Sequence, residues 1–127
     1  MAAGRVTRRQ PDEEILARAA HQWLDFRQVL DVVDRSAPDR DEDQVMASAL
    51  QLLDRLLTDG LIRVGDMNET GFSPWSTSTD ATLVRIRTSW LTLDRQVGTG
   101  DVCSIEATPD GRAMGEAVLE RSGLPDG

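Results

Sequence analysis

Two periodicities organise the apolar residues of this chain. Ile15, Leu16, Ala19, Ala20 and Trp23 recur at helical spacing. They predict a first helix with Asp12 as its cap, Glu13 and Glu14 in its first turn, and an end near Gln22. Phe26, Val29, Leu30 and Val33 form the stripe of a second helix. Asp25 opens it, and it closes near Ser36 because Pro38 disfavours helical geometry at Ala37. A third, longer helix starts in DRDEDQ, where Asp41, Glu42 and Asp43 meet the positive end of the helix dipole. Most residues from Val45 to Leu57 are hydrophobic, so this helix is apolar around most of its circumference. Gln44, Ala47, Ser48, Gln51, Arg55 and Thr58 share its one polar face, and Gly60 ends it.

The period then shortens to two. LIRV alternates apolar and polar positions and predicts a strand. GDMNETGFSPWSTST reads as a loop that carries Phe72 and Trp75. Ser78 or Thr79 caps a fourth helix, whose stripe is Leu83, Ile86, Trp90 and Leu93. QVGTGD is a turn, and VCSIEAT alternates again, with Cys103, Ile105 and Ala107 on the more apolar, inward side. PDG turns the chain into a short final helix that ends at Gly123. The two strands, far apart in sequence, are expected to pair as an antiparallel ribbon. The expected class is α+β and mainly helical, with a polar arm over residues 1–11, one domain over 12–121 and a short tail over 122–127. No repeat or low-complexity tract interrupts it.

Two stretches resemble the winged helix-turn-helix domains of the MarR and PadR kind. LLDRLLTDGLIRV is similar to a recognition helix that runs through a Gly turn into the first wing strand. IEATPDGRAMGEAV is similar to the second wing strand passing through a Thr-x-x-Gly-Arg turn into a closing helix. Together they cover about a quarter of the chain. The resemblance implies a winged helix with a two-stranded antiparallel ribbon, interrupted here by an inserted helix between Asp66 and Arg95. It implies that Gln44, Ser48, Gln51 and Arg55 face DNA, with Arg63 on the adjoining strand. Winged-helix scaffolds also serve as protein-binding modules, so fold alone does not choose between these roles.

Charge bears on that choice. The 127 residues carry a net charge of −8, and all 14 basic residues are Arg. Residues 1–40 balance seven Arg against seven acids, whereas residues 41–80 set only Arg55 and Arg63 against eight acids. DNA affinity rests largely on neutralising phosphates with Lys and Arg, and a DNA-reading domain usually presents a basic face. Here Asp41, Asp43, Asp54, Asp59 and Asp66 bring negative charge to the segment that would dock. Arg5, Arg8 and Arg9 of the arm are the cations left to touch phosphates.

Chemistry for catalysis is sparse. The single His21 lies beside Trp23 in an amphipathic helix and reads as a surface or boundary residue. The single Cys103, in a predicted strand, reads as a core thiol and suits a reducing cytoplasm. One His and one Cys do not make a structural zinc site. Asp39, Asp41 and Asp43 alternate as calcium ligands do, but Gln44 stands where an EF-hand needs Gly and Leu50 where it needs Glu. GTGD lacks the Lys and the helix start of a phosphate loop. The N-terminus has Arg without an apolar run behind it, so no secretory signal is expected, and no apolar run is long enough to span a bilayer.

The expected function is therefore a non-enzymatic, acidic protein-interaction module of the adaptor, antitoxin-like or immunity-like kind. It takes no cofactor or metal and binds a protein partner, a basic one by charge. Asp41, Asp43, Asp59, Asp66, Phe72 and Trp75 are the candidate contacts; Phe72 and Trp75 either fold back to cap the core or stand out as aromatic anchors of the kind that dominate binding hot spots. The alternative is a small transcriptional regulator that reads DNA through helix 41–58. The Leu83, Ile86, Trp90, Leu93 stripe serves either the core or a homodimer.

Overall fold

Helix ends in this chain are set by side chains that satisfy otherwise unpaired backbone amides. The computed structural model describes residues 10–93 and 95–121. The far N-terminal arm, the tail and the expected helix end at Gly123 lie outside the described residues. Helix α1 (Pro11–Ala19) starts slightly earlier than Asp12 predicts. Glu13 accepts from the Gln10 amide at 2.9 Å, and Pro11 supplies a first residue with no amide to satisfy. The helix also stops before Gln22, because Leu24–Asp25 leave it as strand β1. Trp23 consequently drops out of the apolar stripe and is 50% exposed.

Helix α2 (Phe26–Ser36) is capped by Asp25, as its sequence predicts. Asp25 Oδ1 accepts from the Gln28 amide at 3.1 Å, and Gln28 Oε1 accepts from the Asp25 amide at 3.1 Å. Helix α3 (Glu42–Thr58) repeats the device with Asp41 and Gln44, at 2.9 and 3.0 Å. Gly60, at φ 71°, takes the left-handed conformation that stops it.

The segment expected as a loop is instead partly a hairpin. Strand β2 (Ile62–Asn68) continues past LIRV, turns at Glu69 and Thr70, and returns as β3 (Gly71–Pro74). Asn68 makes the turn locally, because its Oδ1 accepts from both the amide and the hydroxyl of Thr70, at 2.9 and 2.7 Å. Ser78 then caps helix α4 (Thr79–Thr92). Strand β4 (Ser104–Ala107) and helix α5 (Pro109–Arg121) complete the described chain.

The sheet is wider than the expected two-stranded ribbon. Its order is β1-β4-β2-β3, and every neighbouring pair is antiparallel. The β2–β4 pairing sets Ile62 opposite Ala107 and Val64 opposite Ile105. Leu24 of β1 also lies opposite Ile105, so these residues share the core face. Arg63 and Glu106, paired directly, occupy the outer face. The architecture is α+β, with the helices supplying most of the core against the inner face. Ile15, Leu24, Phe26, Leu53, Leu56, Ile86 and Ile105 are among its largest fully buried side chains. Trp90 packs edge-to-face on Phe26 with centroids 4.9 Å apart. The α4 stripe thus serves the core through Ile86, with Leu83 and Trp90 packed against it.

The junction before β2 and the turn before α5 form one joint. The Thr108 amide donates to Leu61 O at 3.0 Å, and the Thr108 hydroxyl donates to Gly60 O at 2.7 Å. That hydroxyl also accepts from the Gly111 amide at 3.1 Å. A Cβ on Gly111 would lie 1.9 Å from Leu61 O, so only Gly lets α5 approach this closely. Gly115 permits a similar approach further along the helix, where a Cβ would lie 2.1 Å from Leu16 O of α1.

Candidate interaction surfaces

The polar face of α3 is exposed, but much of its hydrogen-bonding capacity is already used. Gln44 closes the helix cap with Asp41. Ser48 Oγ accepts from Arg40 at 2.6 Å. Gln51 is exposed on the same face. The Arg55 guanidinium lies 4.0 Å from the Asp12 carboxylate, and Asp54 accepts from the Thr58 hydroxyl at 3.1 Å. The sequence pattern placed Gln44, Ser48, Gln51 and Arg55 on one face, and they are there. What it missed is that Asp12 and Arg40, from outside the helix, reach that face.

The candidate acids do not form one patch. Asp41 and Asp43 open α3, while Asp59 follows its last residue. At 1.5 Å rise per residue the two groups stand about 25 Å apart. Asp66 on β2 faces Arg85 of α4 at 3.6 Å. Arg63 pairs with Glu106 at 3.2 Å on the outer sheet face. Glu106 also accepts from the Trp23 indole at 3.1 Å, which holds that half-exposed ring in place.

Phe72 sits opposite Met67 in the β2–β3 hairpin, and both point to the outer face. Phe72 is half-buried and Met67 exposed. Trp75 packs against the core, and the Arg85 guanidinium carbon lies 3.8 Å above its ring centroid. Arg85 therefore holds Trp75 and Asp66 at once, tying α4 to the hairpin. No sequence signal couples Arg85 to Trp75, because the contact depends on where α4 packs. Trp75 Nε1 is buried with no hydrogen-bond acceptor among the described residues.

The single His and the single Cys lie in different surroundings. His21 is exposed in the bend after α1. Cys103 is buried, and burial, followed by the nearby Asp66 and Asp25 carboxylates, pushes its thiol up to about 12. It is a neutral thiol at physiological pH. Among the described residues no three His, Cys, Asp or Glu side chains gather to hold a metal. No helix among them is long and apolar enough to cross a membrane.

One concavity is not revealed by the sequence pattern. A groove of about 900 Å³ opens between α2, the start of α3, and the end of α4 with the segment after it. Arg95 closes that segment by a two-pronged bond to Asp101, at 2.5 and 3.1 Å, while Asp101 also accepts from the Gly98 amide at 2.7 Å. These bonds hold the Asp101 carboxyl well below the usual range, at about 2. No protein-family model matches the chain, and comparison with curated proteins and with solved structures yields no match.

Proposed function

We propose that this chain is a winged-helix domain that works as a non-enzymatic protein-interaction module, of the adaptor, antitoxin-like or immunity-like kind. The winged-helix reading is supported by the direct antiparallel pairing of β2 with β4, with β3 and α4 inserted between them. The two stretches that carry the resemblance meet at the Leu61–Thr108 joint. β1 and β3 extend that ribbon at its two edges.

The observation that carries the functional reading is the state of the face that would read DNA. The Gln44 side-chain oxygen is engaged in its own helix cap, and Arg55 stands beside Asp12. Asp41, Asp43, Asp54 and Asp59 lie along or at the ends of the same helix and are exposed. Phosphates approaching this surface would meet several carboxylates, a repulsion that grows as salt is lowered. The same charge attracts a basic protein, speeding encounter and suppressing wrong partners. The second reading, a transcriptional regulator, is favoured by the alignment of half-buried Ser48 with exposed Gln51 and Arg55, together with Arg40.

The test is a tagged full-length chain expressed at native level, crosslinked and recovered with its partners. A recovered partner is then purified and mixed with the chain. A complex of fixed stoichiometry that weakens as salt rises supports the module. Absence of any such complex, with gel-shift binding to the gene's own upstream DNA at about 50 mM salt, overturns it in favour of the regulator.

A further inference from the structure

The groove between α2, α3 and α4 gathers a set of partly covered apolar side chains. Leu30, Val45, Met46, Trp90, Leu93 and Val97 line it, and each is half-buried. Leu91, which is 60% exposed, extends this lining on the α4 side. Scattered single apolar residues on a surface need no explanation, but a contiguous set around a concavity marks a binding groove. None of these apolar residues belongs to the polar face of α3 or to the hairpin; the groove meets the α3 surface only at its rim, through Arg40 and Asp43.

The groove's rim indicates what covers it. Four carboxylates stand on it: Asp31 and Asp34 from α2, and Glu42 and Asp43 from α3. Asp31 is matched by Arg18 and Arg35, each at 3.3 Å. Asp34, Glu42 and Asp43 take part in no ion pair among the described residues. Of the three rim cations, Arg95 is matched by Asp101, while Arg40 donates to the neutral Ser48 hydroxyl and takes part in no ion pair among the described residues. Arg27 lies on the same face of α2 as Asp34 but about 10 Å away along the axis. The unmatched acids thus collect where α2 turns into α3, with Arg40 beside them, at one end of a groove whose lining mixes apolar and polar side chains.

Resting on the protein-interaction reading, we propose that this groove is the docking site for a basic amphipathic helix of the partner, its apolar stripe on Met46, Trp90 and Leu93 and its Lys or Arg side chains on Asp34, Glu42 and Asp43. An apolar stripe laid in an apolar groove, with flanking charges fixing its direction, is a recurrent mode of peptide recognition. The net charge of −8 favours the same class of partner at long range.

The test uses the full chain and two synthetic 14-residue helices with the same Leu stripe, one flanked by Lys and the other by Glu. Fluorescence anisotropy at about 150 mM salt gives affinity, and amide chemical shifts give location. The Lys peptide is expected to bind at least about tenfold tighter than the Glu peptide, with shifts centred on Leu30, Met46 and Trp90. Met46→Glu is expected to abolish binding. Asp34→Arg with Asp43→Arg, both at exposed positions, is expected to reverse the charge preference without altering the circular dichroism. Equal binding of the two peptides, shifts centred on the hairpin or on the outer face of α3, no binding, or a groove covered by a second copy of the chain would each overturn the proposal. A native partner whose binding ignores all three substitutions would overturn the groove while leaving the interaction module standing. Absence of any native partner would remove the module itself.

Discussion

The joint between Leu61 and the start of α5 makes a sharp prediction for Gly111→Ala. Helix propensity alone favours the change, since Ala exceeds Gly by at most about 1 kcal/mol in a helix. The structure predicts the opposite sign. The new methyl would lie 1.9 Å from Leu61 O and 2.8 Å from Leu61 C, both backbone atoms, so no rotamer change relieves the contact. Either α5 or the start of β2 must move, at an overpacking cost of about 1–3 kcal/mol. The movement also stretches the bonds from the Thr108 amide to Leu61 O and from its hydroxyl to Gly60 O. Each of these contributes about 1 kcal/mol. Set against the propensity gain, the net loss is about 2–4 kcal/mol. Equilibrium urea unfolding followed by circular dichroism reads this directly: at a slope of about 2 kcal/mol per M, the midpoint falls by about 1–2 M. Ala113→Gly, at an exposed position of the same helix, is the control and is expected to lose only about 1 kcal/mol. Thr108→Val removes the cap and is expected to lose about 1–2 kcal/mol, less than additively with Gly111→Ala because the two share one joint. A Gly111→Ala midpoint equal to or above that of the parent would refute the close approach of α5 to Leu61.

Three further predictions address individual side chains. Cys103, buried and with its thiol pushed up to about 12, is expected to resist a thiol-exchange reagent in the native protein at pH 8 and to react fully once unfolded. Because its folded value is raised, the neutral thiol favours folding, and this contribution fades as pH climbs from the unfolded value near 9 toward 12; rapid native labelling would contradict it. Asp101, lowered from 3.8 to about 2, holds the segment after α4 above the unfolded carboxylate value and releases it as pH falls through the folded one. A carboxyl-carbon NMR titration should give a midpoint about 2, and a midpoint near 4 would rule out the Arg95 clamp. Arg85→Ala removes both the cover on Trp75 and the Asp66 pair, and is expected to lower Tm by about 2–6 °C, reflecting about 0.5–1 kcal/mol. An unchanged melting curve would show that the contact adds nothing.

Much of the local structure was legible in the sequence because its causes are local. The stripes of α2, α3 and α4 follow from 3.6-residue periodicity, and Asp25, Gly60 and Ser78 act at helix ends through atoms only a few residues away. The inward turn of Cys103, Ile105 and Ala107 follows from the two-residue period of an extended chain, and all three are buried. Ser104 is buried as well, on the opposite side of the strand, which alternation did not predict. β1 was invisible because two residues carry no periodicity; Leu24 and Asp25 are extended only because β4 offers them partners. β3 was hidden for a related reason. Its Gly71 and Pro74 read as loop residues, yet at a sheet edge a Pro needs no partner for its missing amide.

The candidate surfaces divide along the same line. Which residues share the polar face of α3 is a property of the helix, so Gln44, Ser48, Gln51 and Arg55 could be grouped from spacing alone. Whether that face is free depends on side chains that arrive from elsewhere. Arg40 and Asp12 come to it through the packing of neighbouring segments, and Arg85 comes to Trp75 in the same way. The groove is the extreme case, since its apolar lining is drawn from α2, α3, α4 and the segment beyond. In sequence these residues read as parts of separate helical stripes, and Val97 as part of the QVGTGD turn. Only the tertiary arrangement leaves their outer sides uncovered and sets Asp34, Glu42 and Asp43 beside them, because burial and charge pairing are decided between elements rather than within them.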